Sequence, residues 1–232
     1  MQYTQEHRIK LEHYLGNHEL PRGLGTEESA CSIAAINLAL TGELTDDIPK
    51  CMSEVLGRST IHLQDAMPEE MRNSKRYKEW LPKAAGTGRD REHERADVLL
   101  EWMWSVVLPE LQPLADNNGF GTEWQKMCRE RTPYACADAY AAARAAAAYA
   151  ADAADAAAAA RAADAAADAA AAAYAARAAA RAAAADAYAA RAAAAAAYAA
   201  RAAAAATDSP TFWQDVDTIG VLERMTFLGV KS

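Results

Sequence analysis

The chain has 232 residues, with 24 Lys or Arg against 32 Asp or Glu, which gives a formal net charge of −8 at pH 7. This acidic balance argues against general nucleic-acid binding, which needs clustered Lys and Arg side chains that displace counterions from phosphates. The chain does not open with the apolar stretch of a signal peptide, and its Ala-rich part carries too many charges to span a membrane. We therefore expect a cytoplasmic protein that binds neither nucleic acid nor a membrane.

The spacing of apolar residues predicts a series of short helices before the Ala-rich part. These predicted helices lie over Gln5–Leu15, Glu27–Leu40, Glu69–Trp80, Arg91–Leu108 and Thr122–Arg131. Thr26 is a favourable N-cap residue for the second of them. Thr45 or Asp46 is expected to cap a further helix that has Pro49 in its first turn.

The helix over Arg91–Leu108 has the clearest amphipathic pattern of the chain. Its apolar stripe consists of Val98, Leu99, Trp102, Met103, Val106 and Val107. A C-terminal helix is predicted to begin at Ser209-Pro210, because Ser caps helices and Pro suits the first helical position. Met67-Pro68 and Pro82–Arg89 are expected to interrupt the helices. No segment alternates with the period of a strand, so the sequence predicts an all-α fold.

The Ala-rich part covers residues 135–206, where 54 of 72 residues are Ala and none is Gly, Pro or β-branched. Ala has the highest helix propensity because it loses no side-chain entropy in a helix. Its small methyl group adds little apolar area, so the core must come from the rest of the chain. We therefore predict a helical domain over residues 1–133, an Ala-rich helical region over 134–206 and a C-terminal helix within 207–232 that packs on the first domain.

The charged residues of the Ala-rich part are distributed unequally. Residues 135–168 carry five Asp and two Arg, whereas residues 169–206 carry four Arg and one Asp. We expect the halves to pair as antiparallel helices, because a fold-back near residues 169–173 returns the C-terminal helix to the core. The side chains expected to pair the helices are Asp138, Asp152, Asp164, Arg177, Arg191 and Arg201. The alternative is one long helix that pairs with a second copy, since neither Gly nor Pro marks a turn; we expect a homo-oligomer.

Two loops between apolar helices carry polar residues that suit a small anionic ligand. The candidate ligand-binding residues are Asp65, Arg72, Thr87 and Arg89. Arginine suits this role because its planar guanidinium matches the geometry of phosphate. The structural alternative is that Asp65 caps the helix that begins near Glu69 and that the other loop is a simple turn. The five His residues are scattered, so we expect neither a metal site nor a cofactor.

Three short motifs suggest a relationship to other proteins. They are Glu28–Ala35 (ESACSIAA), Leu63–Pro68 (LQDAMP) and Ala85–Arg89 (AGTGR). Through them, residues of about 25–130 resemble an uncharacterised bacterial and phage family of Ala-rich helical proteins, some of which are termed immunity proteins. That family has no assigned activity, so the resemblance implies no catalytic residue. In phages, it implies a role against host defence.

These observations favour a non-enzymatic binding protein as the functional interpretation. Such a protein would act as a phage anti-defence protein that sequesters a small anionic or nucleotide-like signal, or a host protein. Two alternatives stay open: a structural protein that self-assembles through Ala-surfaced helices, and an enzyme whose site the sequence does not reveal. Assembly without any ligand would favour the structural alternative.

Overall fold

The structure is a computed structural model that describes residues 2–151, residue 200 and residues 211–228. Its helices are α1 (Gln5–Asn17), α2 (Ser32–Thr41), α3 (Glu54–Ala66), α4 (Glu69–Arg72), α5 (Lys75–Ala84), α6 (Glu92–Trp102), α7 (Gln112–Asn117), α8 (Gly121–Glu130), α9 (Pro133–Ala151), α10 (Phe212–Asp215) and α11 (Thr218–Thr226). The strands in these ranges are β1 (Gly25–Thr26) and β2 (Ser29–Ala30), which pair antiparallel. Helices dominate the described residues, so the predicted all-α fold class is confirmed. Within those residues, the structure contains no helix with the length and hydropathy of a membrane span.

The contacts between residues divide the chain into two units. The first unit comprises Met1–Val98 and Thr218–Ser232, and the second comprises Leu99–Asp217. The boundary lies inside α6, whereas the sequence pattern predicts a first domain that ends at residue 133. The predicted C-terminal helix is divided as well, because Asp217 has a φ of +46° and separates α10 in the second unit from α11 in the first.

The first unit has its core among five helices. Helix α1 packs on α2 and α5, α2 packs on α3, and α11 packs on α3 and α5. Buried apolar side chains from these helices include Leu11, Ile36, Leu56, Trp80, Leu81 and Met225. The indole nitrogen of Trp80 donates a hydrogen bond of 2.8 Å to the hydroxyl of Thr226, which anchors the end of α11 on α5.

The start of α2 differs from the prediction. The helix begins at Ser32, and the thiol of Cys31, rather than Thr26, accepts the capping hydrogen bond. The two-residue strands occupy the preceding residues. Gly25 has a φ of +79°, and a Cβ atom there would lie 1.9 Å from a carbonyl oxygen of the opposite strand. The turn therefore requires this glycine, and the helix begins only after it.

Residues 43–53 form a non-helical segment, where a helix capped by Thr45 or Asp46 is predicted. The side-chain amide nitrogen of Asn37 on α2 donates hydrogen bonds to two carbonyl oxygens of this segment, both at 2.8 Å. Side-chain bonds of this kind compete with the backbone bonds of a helix. Helix α3 begins at the end of the segment, with Ser53 as its N-cap.

The predicted helix over Glu69–Trp80 is divided into α4 and α5. Between them, the side-chain oxygen of Asn73 accepts a hydrogen bond of 2.8 Å from the backbone nitrogen of Leu20. The hydroxyl of Ser74 then caps α5. Helix α5 continues through Pro82, which the sequence pattern assigns to a loop. Pro82 lies in the last turn of the helix, where its missing N–H removes only one hydrogen bond.

The second unit begins with a change of helix type. Helix α6 continues into a π-helix over Met103–Val107, where the sequence predicts a regular α-helix. The indole nitrogen of Trp102 donates a hydrogen bond to the carbonyl oxygen of Val216. The indole nitrogen of Trp124, on α8, donates a hydrogen bond of 2.9 Å to the carbonyl oxygen of Leu108. These two bonds tie the ends of the π-helix to α8 and to the residue that follows α10.

Helices α8 and α9 pack through small side chains. The residues Ala135, Ala139 and Ala143 are buried at a spacing of four residues, which places them on one face of α9. Asp138 forms an ion pair of 3.1 Å with Lys126 of α8. The other parts of the predicted helix pairing lie outside the described residues: Asp152, Asp164, Arg177, Arg191, Arg201, the fold-back near 169–173 and the cap at Ser209-Pro210.

Replacing Trp102 with Ala should lower the free energy of unfolding by about 3–5 kcal/mol. The side chain is 1% exposed, and its loss also leaves the carbonyl oxygen of Val216 without its donor. Urea denaturation followed by circular dichroism measures this change. The control Tyr134→Ala removes an aromatic ring that is 84% exposed and should change stability by less than about 0.5 kcal/mol. Equal stability of Trp102→Ala and wild type would contradict this packing.

Candidate functional site

Asp65 and Arg72 both contact the loop that follows α1. A carboxylate oxygen of Asp65 accepts a hydrogen bond of 2.9 Å from the backbone nitrogen of Gly23. Arg72 is 5% exposed, and its guanidinium donates to two backbone carbonyl oxygens, including that of Leu20. The interpretation of Asp65 as the N-cap of the next helix is wrong, because Pro68 occupies that position and α4 has no side-chain cap.

Thr87 and Arg89 lie in the loop after α5 and contact the start of α3. The hydroxyl of Thr87 accepts a hydrogen bond of 3.1 Å from the backbone nitrogen of Ser53. Arg89 forms an ion pair of 3.0 Å with Glu54, in the first turn of α3. The guanidinium of Arg95, which is 3% exposed, donates to the carbonyl oxygen of Thr87. This loop is therefore fixed by bonds within the fold.

The four predicted ligand-binding residues have different neighbours within the first unit. Asp65 and Arg72 hold the loop after α1, whereas Thr87 and Arg89 hold the loop after α5 against α3. Their polar groups bond to other parts of the protein, and one of the two guanidinium groups is buried. A ligand pocket shared by all four residues stays a prediction. The first unit has more exposed cationic side chains in a groove between α1 and α5.

An open groove between α1 and α5 has a volume of about 670 Å³. Small-molecule sites commonly have volumes of about 300–1,000 Å³, so the groove has the size of a ligand site. The residues that line it are Arg8, Glu12, Leu15, Gly16, Asn73, Lys75, Lys78, Glu79, Pro82 and Lys83. Four of these side chains are cationic and two are anionic. The lining is therefore positive, although the chain as a whole is negative.

Helical spacing explains why the α5 residues share this groove. Their positions recur at intervals of three and four residues from Lys75 to Lys83, which places them on one face of the helix. Tyr77, Trp80 and Leu81 lie at other positions of α5 and are buried in the core, whereas Arg76 is exposed and pairs with Glu223. The stripe of lysines is visible in the sequence, and the prediction of a ligand site overlooked it.

The two helices run antiparallel along the groove. Near the start of α1, Arg8 lines a second cavity together with Pro82 and Lys83, which lie at the end of α5. At the other end of α1, the ammonium group of Lys78 donates a hydrogen bond of 2.8 Å to the carbonyl oxygen of His18. This bond places a positive charge at the C-terminal end of α1, where the helix dipole favours it.

The second cavity is also open, has a volume of about 300 Å³ and shares three lining residues with the groove. Its lining residues are Tyr3, Thr4, Gln5, Arg8, Pro82, Lys83 and Gly86. Arg8 and Lys83 are the cationic residues common to both cavities. The place where the cavities meet is therefore the most positive part of the site that the described residues form.

Arg8 and Lys83 retain donors that the fold leaves available. Only the Nε atom of Arg8 is hydrogen-bonded among the described residues, to Glu12 at 2.8 Å, and the side chain is 42% exposed. The ammonium group of Lys83 lies 5.9 Å from the centre of the Phe227 ring. In the part of the chain that the structure describes, the lysine and arginine of α5 that pair with carboxylates are Lys75 and Arg76, not Lys83. Both residues can therefore donate hydrogen bonds to an anion.

Tyr3 forms one wall of the smaller cavity. Its hydroxyl oxygen is buried and has no hydrogen-bond partner among the described residues. This burial raises the pKa of Tyr3 to about 12. A Cβ atom on Gly86 would lie 3.1 Å from the tyrosine ring, so the glycine allows the ring to pack against the loop after α5.

Comparisons with known proteins do not assign a function to the groove, so its interpretation depends on its own chemistry. Neither a protein-family model, nor a curated protein, nor a solved structure matches the chain. The resemblance to Ala-rich phage proteins therefore stays a prediction. Within the described ranges, no three His, Cys, Asp or Glu side chains are grouped so that they could hold a metal ion.

Replacing Tyr3 with Phe should leave the free energy of unfolding unchanged or raise it by up to about 1 kcal/mol, because the buried hydroxyl has no partner. The matched variant Tyr77→Phe should lower it by about 1 kcal/mol, because the hydroxyl of Tyr77 is hydrogen-bonded to Ser32 at 2.9 Å. Urea denaturation at pH 7 measures both variants. A clear loss of stability in Tyr3→Phe would show that its hydroxyl has a partner.

The stability of Tyr3→Phe should also differ from that of wild type at high pH. The pKa of Tyr3 is raised from 10.0 to about 12 in the fold, so the folded state keeps its proton longer than the unfolded state. The stability contributed by this difference is fully present below pH 10.0 and is lost as the pH rises towards 12. Denaturation curves between these values should therefore show a smaller loss of stability for Tyr3→Phe than for wild type.

Proposed function

We propose that the protein is a non-enzymatic binding protein that captures a small anionic molecule in the groove between α1 and α5. The concentration of positive charge in an acidic chain supports this proposal. Residues 1–98 carry 13 Lys or Arg against 17 Asp or Glu, yet the groove has four cationic and two anionic side chains. Such a local excess attracts anions and raises their concentration at the site.

The single observation that carries the proposal is the meeting of two cavities at Arg8 and Lys83. A phosphate or carboxylate at this point can accept hydrogen bonds from both terminal nitrogens of the guanidinium and from the ammonium group. Bidentate hydrogen bonds from arginine to such anions are among the strongest in proteins. Because Glu12 bonds to Nε alone, it orients Arg8 without using its terminal nitrogens.

The chemistry of the lining supports binding rather than covalent catalysis. The described side chains that line the groove are charged, amide or aliphatic, and none of them is Ser, Thr, Cys or His. These four residue types are frequent nucleophiles and general bases in enzymes, and the two carboxylates of the groove, Glu12 and Glu79, are ion-paired with Arg8 and Lys75. Lys and Arg in open positions hold anions by charge and hydrogen bonds.

The size of the site allows a nucleotide-like ligand. The groove of about 670 Å³ and the smaller cavity of about 300 Å³ share lining residues, so one ligand can occupy both. A protein that only binds such a molecule acts by lowering its free concentration. Capture of a host signal by a phage protein would be one use of this activity, and that setting rests on the motif resemblance alone.

Calorimetric titration with inorganic phosphate and with adenosine monophosphate tests the proposal. The variant Lys83→Gln should weaken the binding of either compound about tenfold, because it removes one charge-assisted hydrogen bond. The matched control is Lys10→Gln on α1, which removes an exposed lysine paired with Glu6 outside the groove lining. Affinity should also fall as salt is added. Equal binding by the two variants, or no binding to wild type, would refute the proposal.

Self-association through α9 is the second candidate function. Tyr134 is 84% exposed and Tyr140 is 42% exposed, and the nearby Ala137 and Ala141 are exposed as well. This surface presents large and small apolar side chains next to each other, as helix-pairing surfaces do. The structural or self-assembling protein considered from the sequence would use such a face, and a second copy of the chain is its expected partner.

Sedimentation velocity tests this second candidate. We expect wild type to sediment as a homo-oligomer and Tyr134→Lys to sediment as a monomer, because a charge in the interface cannot be buried without a partner. The control is Ile9→Lys, which introduces the same charge at another apolar residue that is 57% exposed. Ile9→Lys should sediment like wild type. A monomeric wild type would exclude this function.

A further inference from the structure

We propose that the groove selects a small zwitterion in which a phosphate-like anionic group and an ammonium group are joined by a short linker. This inference rests on the proposed function, because it takes the meeting point of the two cavities as the anion site. The inference adds the chemical class of the ligand to that function. It is supported by the order of the charged side chains along the groove and by the positions of Glu12 and Glu79.

The charges alternate along the groove. Arg8 and Lys83 stand at one end, where both also line the smaller cavity. Glu12 follows Arg8 by four residues on α1, and Glu79 precedes Lys83 by four residues on α5. Four residues correspond to a rise of about 6 Å along a helix. Because the helices run antiparallel, both carboxylates lie in the same direction from the anion site, one on each wall of the groove.

Both carboxylates keep acceptor positions for a ligand. Glu12 accepts from the Nε atom of Arg8 at 2.8 Å, and Glu79 forms an ion pair of 3.6 Å with Lys75. Their side chains are 47% and 61% exposed. A carboxylate has about four acceptor positions, and an ammonium group has three donors. One ligand ammonium group between the two walls can therefore donate to both residues.

This arrangement opposes ligands that carry negative charge alone. The other two cations of the groove are already engaged, because Lys78 donates to the carbonyl oxygen of His18 and Lys75 pairs with Glu79. An anion that extends from Arg8 and Lys83 therefore approaches the carboxylates of Glu12 and Glu79, and like charges repel each other. An ammonium group at that position changes the repulsion into attraction. Specificity of this kind needs both an attractive contact for the correct ligand and a repulsive one for its competitors. A single phosphate binds at the end of the groove in either case, but more weakly.

Two matched compounds separate the zwitterion from a simple anion. The compounds 2-aminoethyl phosphate and ethyl phosphate have nearly the same size and differ in one ammonium group. Calorimetric titration of the full chain should show that 2-aminoethyl phosphate binds about tenfold more tightly. The preference should weaken at a pH above the pKa of the ligand's amino group, because the amine is then uncharged.

Matched variants locate the preference in the groove. Glu79→Gln should reduce the preference to about twofold or less while ethyl phosphate binds at least as tightly as before, because a repulsive charge is removed. Lys83→Gln should weaken both compounds by the same factor and leave their ratio unchanged. The control Glu6→Gln removes a carboxylate of α1 that pairs with Lys10 outside the groove lining. This variant should prefer 2-aminoethyl phosphate over ethyl phosphate as strongly as wild type does.

The outcomes distinguish this inference from the proposed function. If both compounds bind with equal affinity and Lys83→Gln weakens the binding of both, the groove binds anions, and the inference that it selects a zwitterion is refuted. If the preference survives in Glu79→Gln and in Glu12→Gln, the two carboxylates are not its cause and the inference is again refuted. If neither compound binds at millimolar concentration, the proposed function fails as well. Circular dichroism of each variant confirms that it is folded.

The same zwitterion occurs free and as a lipid headgroup. Co-sedimentation with phosphatidylethanolamine vesicles, against phosphatidylcholine vesicles as the control, separates these sources. Binding to free 2-aminoethyl phosphate without co-sedimentation identifies a free metabolite as the ligand. Co-sedimentation that Glu79→Gln abolishes identifies the headgroup, with the same groove chemistry.

Discussion

The packing of α5 determines the form of the first unit, because this helix buries one face completely and leaves the other in water. Tyr77 and Trp80 are 0% and 1% exposed, and each finds a hydrogen-bond partner on another element, Ser32 and Thr226 respectively. Buried aromatic side chains with satisfied polar groups hold a helix in one rotational setting. The lysines on the opposite face are therefore held opposite α1 in a fixed arrangement.

Some charged side chains are buried inside the first unit, where they form hydrogen bonds with other groups of the protein. Glu92 is 8% exposed and accepts hydrogen bonds from the hydroxyl of Ser53 and from two backbone nitrogens in the first turn of α3. Arg95 lies 3.8 Å from Glu92 and donates to the carbonyl oxygen of Met225, at the end of α11. Buried charges are tolerated where they are paired and hydrogen-bonded. A polar residue between apolar helices can thus be structural, as Arg72 is.

The sequence predicts the fold class because that prediction depends on local periodicity. The three- and four-residue spacing of apolar side chains is a property of each helix alone, and α1 and α6 begin where it places them, within one residue. The start of α2 depends on a close approach at Gly25 and on the thiol of Cys31, and neither is visible in periodicity. The non-helical segment before α3 depends on bonds from Asn37, which reach residues eight and ten positions away.

The candidate site was predictable only in part, for the same physical reason. The lysine stripe of α5 follows from its spacing in the sequence, as does the adjacent position of Glu79. The opposite wall comes from α1, and only the tertiary packing brings Arg8 next to Lys83. Residues chosen because they lie in polar loops, such as Thr87, proved to bond to nearby backbone groups. Local chemistry is readable in the sequence, but the pairing of two helix faces is not.

The most direct test of the central claim is a nitrogen-15 NMR titration that follows the arginine Nε–H signals as inorganic phosphate is added. The account predicts a saturable shift of the Arg8 signal. The Arg58 signal should stay in place, because this exposed arginine pairs with Glu54 on α3 and does not line the groove. Equal shifts of both signals, or an Arg8 signal that does not move, would contradict an anion site between α1 and α5.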